Sequence, residues 1–457
     1  MNRPNFKYNR LRTRGELKQT TARRCRLVRC SSVALVCIAA QARAETIVSV
    51  PSRPNQEVPA PLAPLVLDLR AAMALAQRNA PEILIAAADQ RSAPLLRNAA
   101  DRVVHRPPRV AFSTGPRRLA GGAQLGWDVT AGVFQEFSTG GYGKQLGEFA
   151  SAVERRANAS LASARRDARV RAGLAWVDAR VARETLTLRT EALQGAKETV
   201  RVAQARAEVG KSSPAEAALA RALMGSIQAS VLSAQGDITV ADAELRYWCH
   251  LELHSSLQVA GPLDIEVRPI DEEEIRRHVL ERSPELGRIR AEADALDHAA
   301  QLGKASGKPH IEIGPSVTRE GTGDWIFLGN LNLPFPGVDP FAADNALRRT
   351  EANMARARVS VAEQTALKEV EIALHEREHA LELRESLREG TIEPSLQAVR
   401  EYQLQYEVGR IDLTTLLAAR RELLNAQERW AAAAADVQRA EVRLMRWSDY
   451  LQSTREQ

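Results

Sequence analysis

The chain has 457 residues, only 4% of them aromatic and 26% charged, a composition that favours long solvated helices over a bulky globular core. Its net charge of +6 gives no support for a nucleic-acid partner, because residues 1–44 hold eleven Lys or Arg and one acid, a local +10 that leaves −4 on the remainder. Three of the four cysteines also lie in that segment, so Cys249 alone remains beyond it and an internal disulfide or thiolate cluster there is excluded.

Residues 1–44 read as an export signal, with a long basic stretch, a short apolar run from Val33 to Ala40 and the cleavage pattern Ala42-Arg43-Ala44. The run is too short to span a bilayer. Cys25, Cys30 and Cys37 would leave with the signal, and none follows the small residue that a lipoprotein anchor requires. Residues 45–66 form an extended Pro-rich lead-in.

The first repeat spans residues 67–255. A helical signal runs to about Val104 and is broken at Asn79-Ala80-Pro81-Glu82-Ile83. Strands are expected over about 108–115 and 124–137. Val110 and Phe112 face one way there, and Trp127, Val129 and Val133 alternate with Asp128, Thr130 and Gly132. A tilted bilayer-crossing strand has such a length, with one face in lipid and one in water. A hairpin packed on a soluble core would alternate in the same way. A long helix follows over 144–207, then a turn at Gly210 and a returning helix over 215–250.

After a linker at 256–269, a second repeat occupies 270–451 in the same order. It has a helix broken at Arg282-Ser283-Pro284-Glu285-Leu286, strands at about 309–318 and 325–334, a long helix over 341–407, a turn at Gly409 and a returning helix over 413–451. Residues 452–457 are a tail. The two long helices would each measure about 95–100 Å at 1.5 Å per residue. Gly195 and Pro394, related by the repeat offset with Gly390 nearby, suggest a matched bend.

The duplication is clearest from Glu208 to Trp248 and from Glu407 to Trp447, offset by 199 residues. One apolar seam runs Ala217, Ala220, Met224, Ile227 through to Leu245 and Trp248. Its counterpart runs Leu416, Ala419, Leu423, Ala426 through to Leu444 and Trp447. Alternating steps of three and four give the 3.5-residue period of coiled coils, and a repeated seam implies a repeated architecture. The fold class is therefore mainly α with β. Two-fold repeated coiled-coil helices accompany four strands that cannot close alone. Three copies would form a 12-stranded barrel.

With this order in place, residues 67–451 resemble the TolC family of outer-membrane efflux channels. Phe134-Gln135-Glu136-Phe137-Ser138-Thr139-Gly140-Gly141 and Asn332-Leu333-Pro334-Phe335-Pro336 resemble the strand-to-helix junctions of that family. Tyr406-Glu407-Val408-Gly409-Arg410 with Leu416-Leu417-Ala418-Ala419-Arg420 resembles its tip turn. The double glycine at 140–141 with Gly210-Lys211-Ser212-Ser213-Pro214 is most similar to the CzcC-like branch, which serves heavy-metal resistance-nodulation-division pumps.

The resemblance implies a homotrimeric conduit, with a barrel in outer-membrane lipid and a helical tunnel across the periplasm of a Gram-negative bacterium. It also implies a periplasmic adaptor and an inner-membrane pump as partners, exporting heavy-metal cations or other small toxic solutes. The adaptor-docking tips would be Val209, Gly210 and Lys211 with Val408, Gly409 and Arg410. Members of the family carry gate aspartates where this chain has Thr415 and Ala418. Asp412, the nearest acid, either serves with Thr415 as the periplasmic gate or is a solvated tip charge.

Other constellations carry bland readings beside sharp ones. His375-Glu376-Arg377-Glu378-His379 fits the HExxH zinc-protease pattern, but it sits mid-helix on a charged surface without a third ligand in view. Cys249, His250 and His254 lie close in sequence at the end of the first returning helix, where a buried thiol beside exposed histidines is the plainer reading. Asp271-Glu272-Glu273-Glu274 favours a helix N-terminus electrostatically. No phosphate-binding loop, dinucleotide glycine signature or nucleophile elbow is present in the sequence. The expectation is a passive duct without catalysis or cofactor. The competing readings are a periplasmic coiled-coil adaptor or scaffold without a barrel, and a zinc hydrolase.

Overall fold

The computed structural model describes residues 65–102, 104–118, 125–267, 269–333 and 341–447. The expected signal at 1–44, nearly all of the Pro-rich lead-in, Pro334-Phe335-Pro336, the end of the last helix and the tail lie outside the described residues.

A short strand β1 (Leu65–Leu67) precedes α1 (Leu69–Asn79) and α2 (Pro81–Ala100). Asp68 caps α1 by accepting from the Ala71 amide at 2.6 Å, and Pro81 opens α2, where a missing N–H costs nothing. Strands β2 (Arg109–Arg118) and β3 (Leu125–Ser138) follow, then α3 (Tyr142–Glu208) and α4 (Pro214–Cys249). At 67 residues, α3 is about 100 Å long.

The second half repeats the order after β4 (Leu257–Val259). It contains α5 (Glu272–Arg282), α6 (Pro284–Ser306), β5 (His310–Arg319), β6 (Trp325–Asn332), α7 (Ala342–Leu387), α8 (Glu393–Glu407) and α9 (Leu413–Leu444). Asp271 caps α5 with three glutamates in its first turn, and Ser283 caps α6 ahead of Pro284.

Two expectations need correcting. The second long helix is interrupted by a π-helical turn at Arg388–Ile392, one residue short of Pro394, whereas α3 passes through Gly195 as unbroken α-helix. Proline removes an N–H and crowds the carbonyl four residues back; glycine does neither, so only one half is interrupted. The linker also contributes β4, which pairs in parallel with β1 through Leu65↔Leu257 and Leu67↔Val259. Trp176 of α3 donates Nε1–H to the Leu67 carbonyl at 3.0 Å, and Gln438 of α9 donates to the Leu263 carbonyl at 2.6 Å. The connecting segments are thereby bound to the long helices.

No seam position of α4, or of α9 and the residues that follow it, is exposed. Leu245, Trp248, Ala431 and Ala434 share one core with Trp176, and Leu444 and Trp447 share another with Val370 and Met73. Alanines dominate these contacts, which lets helices approach closely. Several ion pairs join the helices, and two of them are among the least exposed. Arg183 of α3 meets Asp242 of α4 at 2.8 Å, and Arg377 of α7 meets Glu441 of α9 at 2.6 Å. Pairs of such low exposure favour one alignment of the helices over its neighbours.

Candidate membrane face and helical tip

Among the described residues the larger sheet has the order β2-β3-β5-β6, antiparallel throughout, with β2 and β6 as its edges. Register places Val110 opposite Val133, Phe112 opposite Ala131, Val317 opposite Phe327 and Ile313 opposite Leu331. Side chains alternate along each strand, so these residues share one face with Trp127, Val129 and Phe137. Most of that face is open, with Val110 at 74% and Phe327 at 79% of full exposure. A contiguous exposed apolar surface of this kind marks an interaction site or a lipid contact.

The opposite face carries the polar residues. Arg109 meets Glu312 at 2.7 Å, and Asn332 donates to the same carboxylate at 2.8 Å. Asn330 donates to the Ser316 hydroxyl at 2.8 Å, and Thr130 and Thr318 hydroxyls lie 2.9 Å apart. Arg117 pairs with Glu320. Among the described residues, Ala111, Phe134, Ile326 and Leu328 are the apolar ones on this side. One face is thus apolar and uncovered, and the other is ion-paired and hydrophilic.

At the far end of the long helices the two Gly turns have the same geometry. Gly210 has φ +70° and Gly409 φ +80°, a region costly for residues with a Cβ. The Gly210 amide donates to the Ala207 carbonyl at 3.1 Å and the Lys211 amide to the Arg206 carbonyl at 2.8 Å. Gly409 donates to Tyr406 at 3.0 Å and Arg410 to Gln405 at 2.8 Å. Both are therefore Schellman motifs that satisfy the last free carbonyls of α3 and α8.

The next helices begin at Ser213, which accepts from the Glu216 amide at 3.3 Å, and at Asp412, which accepts from the Thr415 amide at 3.2 Å. Hydrogen bonds from Thr414 and Thr415 hold the Asp412 carboxyl below its ordinary range. The two proposed gate residues are thus bonded to each other as a helix cap.

All six expected tip residues are exposed, with Val209 at 67% and Val408 at 70%. The two turns are tied by a contact without local sequence signal. The guanidinium of Arg206, from α3, lies 4.7 Å over the Tyr406 ring and donates to the Tyr406 carbonyl. Tyr406 sits in a core with Leu413, Leu416, Val200 and Ala217.

The other constellations take their plainer forms. His375 and His379 stack at 6.3 Å on an exposed helix face, and Glu376 pairs with Arg443. Among the described residues no group of three His, Cys, Asp or Glu could hold a metal. Burial pushes the Cys249 thiol up to about 11, while His250 and His254 are exposed. By length and composition α4 could cross a membrane, yet its seam packs on α3.

Residues 275–448 match the family model described as Outer membrane efflux protein. The solved outer-membrane channel CmeC of Campylobacter jejuni superposes with a TM-score of 0.70 at 16% identity, over 85% of this chain and 88% of that one. The chain therefore has the fold of these outer-membrane channels, and its second half matches the efflux-protein model. CusC, described as forming a transmembrane channel, superposes with a TM-score of 0.64 at 15% identity over 82% and 90% of the two chains. MtrE, the outer-membrane channel of Neisseria gonorrhoeae solved in an open state, gives 0.59 at 18% identity over 83% and 88%. No curated protein matches the chain by sequence. In this channel fold, the four-stranded sheet and the paired Gly turns stand at opposite ends of α3, which connects β3 to Gly210.

Proposed function

We propose that this chain is one protomer of a homotrimeric outer-membrane efflux duct. The observation that carries the reading is the β2-β3-β5-β6 sheet, apolar and exposed on one face, hydrophilic on the other, and unpaired along both edges among the described residues. In lipid no backbone edge can remain open, so β6 of one copy would pair with β2 of the next until twelve strands close. The apolar face then meets lipid, and the Arg109, Glu312 and Asn330 face lines water.

The long helices continue the conduit through the periplasm. Val209, Gly210, Lys211, Val408, Gly409 and Arg410 present a tip with little side-chain bulk at its glycines, against which the helical hairpin of a periplasmic adaptor can close. The adaptor would join the duct to an inner-membrane pump of the resistance-nodulation-division type. Solute selection would rest with the pump, and the CzcC-like glycine pattern favours heavy-metal cations among the exported solutes. Asp412 of three copies would form an anionic ring at the periplasmic mouth, oriented by Thr415. The duct supplies passage only, with no catalytic step and no cofactor.

Cell fractionation followed by planar-bilayer recording tests the reading. Recovery in the outer membrane and discrete single-channel conductance are expected. A protein found wholly in the soluble periplasmic fraction, without conductance, would overturn it.

A further inference from the structure

Midway between the tip and the middle of the long helices, a cavity of about 550 Å³ opens between α3, α4, α8 and α9. Its walls include Leu188, Ala196, Ile227, Leu396, Leu423 and Leu424, so all four helices contribute. Gly195 and Ala196 of α3 line it with almost no side chain of their own.

One wall is charged. Arg420 donates to the Gly195 carbonyl, to Thr199 Oγ1 at 2.7 Å and to Gln403 Oε1 at 3.0 Å. Every one of these acceptors is neutral. Glu198, whose charge acts on it, is bonded to Arg201 at 2.5 and 3.0 Å. Guanidinium has five N–H donors, and two of them, Nε–H and one on Nη2, make none of these bonds. Partial burial pushes the Arg420 guanidinium below its ordinary value, against the weaker opposing effect of the Glu198 charge. Glu191 and Arg421 also line the cavity, but both are exposed and of opposite sign.

We propose that this cavity binds an amphiphilic organic anion, its carboxylate or sulfonate on Arg420 and its aromatic or aliphatic body against the leucines. A carboxylate or sulfonate supplies the missing counter-charge and accepts the two remaining donors, a charge-assisted contact stronger than a neutral one. The apolar body replaces solvent along walls that no side chain covers, in a volume typical of small-molecule sites. The site lies wholly within one chain and stands apart from the barrel reading.

The test uses full-length protein with 1-naphthalenesulfonate and its neutral analogue 1-naphthalenesulfonamide, measured by isothermal titration at pH 7. One sulfonate per chain is expected, bound at least tenfold more tightly than the sulfonamide. Arg420→Gln should remove that preference, Arg421→Gln should keep it, and Ile227→Trp should abolish binding of both compounds by filling the space. Circular dichroism on each variant checks that the helices persist. Absence of saturable binding to the wild type, as when a neighbouring copy fills the cavity, overturns the proposal. So does binding that survives Ile227→Trp, or a tenfold preference that survives Arg420→Gln.

Discussion

Arg420 of α9 donates to the main-chain carbonyl of Gly195 on α3, and a Cβ at position 195 would stand 2.9 Å from its Nη1. The glycine is therefore set by the approach of a guanidinium from another helix. Two opposed effects can be weighed. Gly195→Ala gains about 1 kcal/mol of helix propensity and displaces a charge-assisted bond worth about 1.5–3 kcal/mol. The substitution should lower the apparent melting temperature in the wild type and raise it in an Arg420→Met background, where nothing is displaced. Scanning calorimetry of the four proteins measures this coupling, and equal shifts in both backgrounds would refute it.

Adjacent residues on β2 separate the two faces of the sheet. Phe112 is exposed on the apolar side and Ser113 is exposed on the hydrophilic side. An arginine on the lipid face of a barrel costs about 2–4 kcal/mol near the bilayer midplane. Phe112→Arg should reduce outer-membrane assembly, measured by heat-modifiable trimer on gels. Ser113→Arg should assemble normally and shift reversal potentials towards anion selectivity in bilayers. Similar assembly of the two variants would argue against a lipid-facing sheet.

The tips allow folding to be separated from the proposed adaptor docking. Gly409 has φ +80°, and the nearest atom to an added Cβ is Arg206 Nη2 at 3.4 Å, an ordinary contact. Asparagine visits this region readily, while a β-branched residue is strained by about 1–2 kcal/mol. Gly409→Asn should preserve the melting temperature and single-channel conductance yet weaken adaptor capture at least tenfold in cross-linking titrations. Gly409→Val should lower the melting temperature as well. Unchanged adaptor capture by Gly409→Asn would remove the tip from the docking surface.

Cys249 gives a pH signature. Burial raises its folded value to about 11 from an ordinary 9.0, so the thiol's contribution is complete below pH 9. It is lost as pH rises towards 11, because the unfolded chain ionises first. Wild-type protein should lose more stability than Cys249→Ala between pH 9 and pH 11, as read from melting temperatures of the pair. Parallel profiles would show that the thiol is not held in an apolar site. In the folded protein, iodoacetamide at pH 8 should leave Cys249 unmodified.

The duplicated 3.5-residue seam, the glycine turns, the proline-led helix starts and the alternating strands were legible from residue order, because each is a local preference expressed within a few turns or pleats of backbone. Trp248 and Trp447 closing equivalent seams was enough to imply two like halves. Contacts between segments far apart in the chain had no such local trace. Pairing of Leu67 with Val259, the cover of Tyr406 by Arg206 and the grip of Arg420 on Gly195 depend on which helix faces pack together. The offset of 199 made Gly195 and Pro394 look like partners in one bend. Folding gave them different roles, because a proline disrupts its own helix whereas a glycine accommodates whatever packs against it.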